Sequence, residues 1–164
     1  MLLLMLRISF MALKMRGGKW TLKNYINIFR RGITVQIYTI FGGVDKKNEK
    51  QEKFYKVLER IGYALVLKPV KIYNQPDGSK VRKANCDVDL TFYAMRDQKL
   101  YKKAIFLTGD GDFEILFEYL IEKNIALSVI ANGKRTAKEI KQLVGGDFTD
   151  LKLIRDLVAF KKRK

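Results

Sequence analysis

The sequence predicts a three-layer α/β domain with a mainly parallel central sheet, and three observations carry that expectation. Short apolar or β-branched runs alternate with amphipathic helical stretches along nearly the whole chain, the pattern of successive βα units. One run, residues 104–107, has no polar alternation, as in strands buried on both faces. No linker or internal repeat divides the 164 residues, a length that suits one domain with its own core.

The elements follow in order. The opening MLLLMLRISFMALKM is apolar, but Arg7 interrupts it and it falls short of the about 18 apolar residues of a membrane span. It also lacks a signal peptide's charged start and small-residue cleavage site. Residues 2–10 read as a first strand, with residues 1–19 as a whole an atypical or truncated version of one. WTLKNYINIFRR then places Leu22, Tyr25, Ile26 and Phe29 at helical spacing. Residues 33–41, ITVQIYTIF, are β-branched and aromatic and predict a buried strand closed by Gly42 and Gly43. A helix over 46–61 follows, with Phe54, Val57, Leu58 and Ile61 as its apolar stripe and Gly62 ending it. Residues 64–67 form a short strand, and 70–73 with 79–82 flank the turn signal NQPDG to give a hairpin. The remaining pattern predicts helix 87–101, strand 104–107, helix 112–123, strand 125–131, helix 135–143 and a short segment 148–151. Residues 158–164 end in a solvated basic tail.

Composition narrows the chemistry. The 48% hydrophobic content fits a folded domain. With no histidine and only Cys86, the chain has no Ser-His-Asp triad, no Cys-His pair, no internal disulfide and no Cys- or His-built zinc site. A lone cysteine suits a reducing cytoplasm. Any metal must be a hard cation on oxygen ligands, magnesium or manganese. The net charge of +16 predicts attraction to polyanions, nucleic acid ahead of an anionic membrane.

The segment AIFLTGDGDF organises the rest. In a parallel sheet, ligands gather outside the carboxyl ends of the strands, and Asp110 and Asp112 fall at that edge. Gly109 and Gly111 are expected to let the backbone turn sharply between them. Two adjacent carboxylates call for a cation or basic side chain nearby; equally, Asp110 can shape the turn while Asp112 caps the next helix. KANCDVDL forms a second acidic group. Asp87 stands at a helix start, favoured there by the helix dipole, and Asp89, two residues on, points to a different face. Asp147 and Asp150 flank the last short strand as peripheral ligands or loop caps.

KANCDVDL, AIFLTGDGDF and ALSVIANGKRTAKEIKQLVGGDFTDL, each separated by a helix, together resemble the NYN domain, the PIN-like nuclease group that includes the LabA-like proteins. The upstream VQIYTIFGGVDKKNEKQEKFYKVLERIGYALVLKPVKIY is similar to the same group's second strand, helix and third strand, so the likeness covers about residues 20–151. The resemblance implies a single PIN-like α/β/α domain and a metal-dependent endoribonuclease in which clustered acids hold Mg²⁺ or Mn²⁺ to activate a water. Carried over by position, the catalytic and metal-binding acids correspond to Asp87, Asp110 and Asp112, with Asp89 beside them. Thr108 takes the small hydroxyl position before the acid. The implied partner is single-stranded or structured RNA, with no membrane role and room for a homodimer.

One departure is large. The family's first strand ends in an Asp followed closely by an Asn, and the corresponding region here holds neither, with Ser9 the only small polar residue nearby. Either the start of the sequence is truncated or shifted, or a ligand has been lost and the chain binds RNA without cutting it, or cuts it poorly. The basic residues suit either outcome. Lys68, Lys71, Lys80, Arg82 and Lys83 bracket the hairpin, and Lys134 and Arg135 are expected to open a helix at the same sheet edge. Arg82, Lys83, Lys134, Arg135 and Thr108 are the expected substrate contacts, and Tyr73 could stack a base. No GxxxxGK[ST] loop and no GxGxxG after a strand is present, which leaves little for a nucleotide-binding alternative.

Overall fold

The computed structural model describes residues 2–8, 35–45 and 47–155. The helix expected over WTLKNYINIFRR and the basic tail lie outside them. Six strands form one sheet: β1 (Leu2–Ile8), β2 (Val35–Val44), β3 (Ala64–Pro69), β6 (Lys103–Leu107), β7 (Ala126–Ala131) and β8 (Phe148–Asp150). Their order across the sheet is β3-β2-β1-β6-β7-β8, and every pair is parallel. Two further strands, β4 (Lys71–Asn74) and β5 (Lys80–Lys83), pair antiparallel as a separate ribbon. Among the described residues there are four helices: α1 (Glu49–Arg60), α2 (Asp87–Arg96), α3 (Glu114–Glu122) and α4 (Lys138–Val144).

Alternation along the strands splits the core into two layers. Phe41, Phe106 and Val129 join Leu90, Phe113, Leu116, Phe117 and Ile140 on the face covered by α2, α3 and α4. Their neighbours Ile40, Ile105 and Ile130 join Tyr55, Leu58 and Tyr63 on the face covered by α1. Central strands buried on both sides explain why residues 104–107 show no polar alternation. Phe106 and Phe117 pack at 4.7 Å between ring centroids, and burying each such ring contributes about 2–3 kcal/mol.

Several boundaries differ from expectation for identifiable reasons. β2 does not stop at Gly42 and Gly43 but runs on to Val44. A Cβ on Gly43 would sit 2.6 Å from the Ala84 Cβ and 2.8 Å from a Val70 methyl, so this glycine permits close approach within a strand. Of the expected α1 stripe, Leu58 is buried and Phe54 and Ile61 pack partly buried against the same core, but Val57 is 49% exposed and Gln51 and Tyr55 are buried beside Leu58 instead. Gln51 and Tyr55 join this inward face because Gln51 Nε2 and the Tyr55 hydroxyl both donate to the Gly43 carbonyl, at 2.8 and 2.9 Å. The Asn48 side chain caps it by accepting from Gln51 N at 3.1 Å, and Gly62 follows its end with φ +98°. Helix α2 ends at Arg96 rather than at Tyr101, and a 3₁₀ turn over Gln98–Leu100 follows. There the Tyr101 ring is buried and its hydroxyl donates to Ala94 O at 2.7 Å.

Candidate nucleic-acid interface at the carboxyl edge of the sheet

From β1 the chain builds outward in both directions, through β2 and β3 on one side and through β6, β7 and β8 on the other. The reversal of strand order falls between β1 and β6, where Leu6 pairs with Leu107. In open parallel sheets the crevice beyond the strand ends at such a point is where ligands bind. The segment leaving β6 there is Thr108–Gly109–Asp110–Gly111–Asp112.

This segment is held by local bonds. Thr108 is buried, and its Oγ1 accepts from Asp110 N at 3.3 Å. Asp110 has extended backbone, φ −78° and ψ 127°, and its carboxylate accepts from Asp112 N at 3.3 Å, capping the 3₁₀ turn Gly111–Phe113. Phe113 is buried and anchors the entry to α3. Asp110 is half-buried and Asp112 exposed. The two glycines serve a purpose other than the sharp turn expected of them, since neither has positive φ. A Cβ on Gly109 would lie 2.4 Å from Thr136 Oγ1 and 3.0 Å from its Cα, and one on Gly111 would lie 3.2 Å from the Ala137 Cβ. They let the acidic segment lie against the loop after β7, to which Gly109 O is joined by Ala137 N at 3.0 Å.

That second loop, Asn132 to Thr136, is an Asn-Gly turn whose hub is the Asn132 carbonyl. It accepts from Arg135 N and Thr136 N, each at 2.9 Å, and from Thr136 Oγ1 at 2.8 Å. Lys134 and Arg135 therefore sit in a turn and do not open a helix; α4 starts at Lys138 because the Asn132 turn captures the preceding residues. Asp150 fastens the loop from β8, accepting from Gly133 N at 3.2 Å and Lys152 N at 3.0 Å. The Lys152 and Gly133 N–H groups hold its carboxyl below the ordinary value. Asp147 accepts from the Ser128 hydroxyl at 3.3 Å. Thr108, Gly109, Asp110, Gly111, Lys134 and Arg135 line an open cleft of about 670 Å³ between the two loops.

The other acids enter from α2. Asp87 is its first residue, half-buried, with its backbone N donating to Asn85 Oδ1 at 3.1 Å. Asp89 turns away to Lys68 on β3, carboxylate to ammonium at 2.5 Å. This contact raises the Lys68 pKa above its ordinary value, chiefly through the hydrogen bond to Asp89. Among the described residues, no group of three or more Asp, Glu or Cys side chains is placed to hold a metal ion. Residues 1–44 hold no Asp or Glu, and Asp45 is the first acid of the sequence. Among the described residues, a donor set for Mg²⁺ or Mn²⁺ is not assembled.

The basic residues stand on both flanks of the edge. Arg82 pairs with Asp45, just past the end of β2, which ties the ribbon to the carboxyl edge. The Lys47 N–H and the Arg82 guanidinium hold the Asp45 carboxyl below its ordinary value. Lys83 is exposed on the same ribbon. Four strand spacings separate β3, which feeds this ribbon, from β7, which feeds Lys134 and Arg135, or about 19 Å across the sheet. The two basic groups therefore do not share a pocket but bracket the acidic segment. Sequence reading missed Asp45, Lys68 and Asn132 as organisers of this edge. Only Asn132 carried a local signal, the Asn-Gly dipeptide after a strand.

A wholly parallel sheet between helical layers, with acids and bases at its switch-point edge, is the architecture of PIN-like α/β/α proteins. The family model of the NYN domain matches residues 14–152, and the chain belongs to this family. Over 152 residues it is 22% identical to the low amplitude and bright protein LabA of Synechococcus elongatus, covering 91% of this chain and 81% of that one. Its fold is similar to the crystal structure of a protein of unknown function from Vibrio parahaemolyticus. There the TM-score is 0.73 at 19% identity, covering 97% of this chain and 96% of the other. Among the described residues no helix is long and apolar enough to cross a membrane.

Proposed function

We propose that this NYN domain binds RNA across the carboxyl edge of its sheet and acts as a binding or regulatory module. The observation that carries this reading is that exposed basic residues stand on the ribbon after β3 and in the loop after β7, strands four spacings or about 19 Å apart, with an acidic segment engaged in its own turn after β6 between them. A mononucleotide cannot bridge such a span, whereas a strand of several nucleotides can. A polyanion also suits the net charge of +16. Lys134 and Arg135 meet phosphates at the cleft, Thr108 and Asn132 hold the cleft's walls, and Asp110 keeps the wall rigid through Asp112 N.

A second reading, a Mg²⁺- or Mn²⁺-dependent endoribonuclease, is favoured by a specific observation. Asp87, Asp110 and Asp112 stand at or beside the first turns of α2 and α3, where the family resemblance expects catalytic acids. The arrangement of the donors argues against it, since among the described residues no three acids are placed to hold a metal and Asp89 is paired with Lys68. The two readings separate in one assay. Labelled single-stranded RNA is incubated with the protein and Mg²⁺, Mn²⁺ or EDTA, beside Asp110→Asn. The binding reading expects intact RNA throughout. Cleavage that needs metal and disappears in Asp110→Asn would establish the nuclease.

A further inference from the structure

We propose that the Lys71, Tyr73 and Lys83 face of the β4–β5 ribbon is a contact for single-stranded nucleic acid, with a backbone phosphate between the two lysines and a base stacked on the tyrosine. This deepens the RNA-binding reading and rests on it. The ribbon's register places Lys71 directly opposite Lys83, Ile72 opposite Arg82 and Tyr73 opposite Val81. Side chains alternate along each strand, so Lys71, Tyr73, Val81 and Lys83 share one face, and Ile72 and Arg82 share the other. Arg82 uses its face to reach Asp45 at the end of β2, which fixes the ribbon and leaves the Lys71 face turned away from that tether.

Like charges directly opposite each other weaken a two-stranded ribbon, and such a ribbon is marginal even without them. The fold keeps the arrangement all the same. Lys71 and Lys83 are both exposed, and among the described residues neither has a carboxylate partner. An anion between the two ammonium groups removes the repulsion. The adjacent Tyr73 is 48% exposed, on a strand with no buried residue. A π-face beside a phosphate site suits a strand whose bases are unpaired, because duplex bases have no free face to offer. The ribbon follows β3 directly, so a strand leaving the Lys134–Arg135 cleft along the carboxyl edge meets it on the far flank.

The test is fluorescence anisotropy of the whole chain with a short labelled single-stranded RNA and with a duplex of the same sequence, over a salt series. Three variants are compared: Lys71→Ala/Lys83→Ala, Tyr73→Ala and Tyr73→Phe. A fourth, Lys134→Ala/Arg135→Ala, probes the cleft, and circular dichroism checks the fold of each. The double lysine variant is expected to flatten the log–log salt dependence by about 1.4, the loss of two phosphate contacts on a single strand. Tyr73→Ala is expected to weaken single-strand binding roughly tenfold with the slope unchanged, while Tyr73→Phe binds as wild type and duplex affinity stays put. RNA binding that weakens in the cleft variant but in none of the ribbon variants would overturn the ribbon contact and leave the binding reading standing. Equal losses on duplex and single strand in Tyr73→Ala would overturn the stacking role. No binding of any RNA by the wild type would end both.

Discussion

The acidic segment after β6 and the basic ribbon after β3 stand on one edge of the sheet and are built in opposite ways. Residues 108–113 are fixed by Thr108, by the Asp110 cap and by two glycines pressed against Thr136 and Ala137. The ribbon has an exposed β4, a facing pair of lysines and, among the described residues, one ion pair to the body of the domain. Rigid geometry is what aligned carboxylates need, whereas a mobile polymer is met well enough by exposed charge and one aromatic face. The molecule has spent its packing on the acidic wall and its charge on the ribbon, and the proposed RNA interface draws on both.

Glycine substitutions sharpen this contrast most. Gly109→Ala drives a methyl group into Thr136, side chain and Cα together, and is expected to cost about 2–3 kcal/mol. For a chain of this size that lowers Tm by roughly 5–10 °C. Gly78→Ala in the ribbon's turn meets no atom within 4 Å but occupies φ +78°. Its cost is conformational, about 1 kcal/mol, and is confined to local opening of the ribbon. Amide exchange should rise over β4 and β5 while Tm scarcely moves. Equal Tm losses for the two variants would erase the distinction between the regions.

Asp150→Ala removes the acceptor shared by Gly133 N and Lys152 N and should cost about 1 kcal/mol, discounted for solvent access. Because these N–H groups lower the folded-state pKa of Asp150, its contribution is present above the ordinary carboxylate range and is lost as pH falls through the lowered value. Wild type minus Asp150→Ala stability, measured by denaturant unfolding, should therefore be flat near neutrality and shrink below about pH 4. Asp150→Asn keeps an acceptor oxygen and should lose the pH dependence more than the stability. The smallest effect is expected of Arg82→Ala, which leaves Tm unchanged but frees the ribbon from Asp45, read as faster amide exchange in β5.

Much of this was legible in the residues. Apolar runs at 104–107 and 125–131, the second broken only by Ser128 and each followed by a helical stretch, suffice for a parallel sheet, and AIFLTGDGDF marks the edge that holds the candidate site. What was hidden is whatever depends on distant contacts. The inward face of α1 takes in Gln51 and Tyr55 because they bond to Gly43, eight and twelve residues away. Gly109 and Gly111 resemble turn residues locally, and only the loop after β7 reveals them as spacers. The pairing of Asp89 with Lys68 joins residues in separate elements, so DVDL alone gives no sign that its second acid is engaged. The absence of any acid before Asp45 was visible from the start.

The measurement that tests the account most directly is the affinity of the wild-type chain for labelled single-stranded RNA in EDTA and in Mn²⁺, with the RNA recovered and sized afterwards. The account predicts equal affinity in both and full-length RNA in both. Shortened RNA in the Mn²⁺ sample alone, absent with Asp110→Asn, would contradict it and make the acidic edge a catalytic centre.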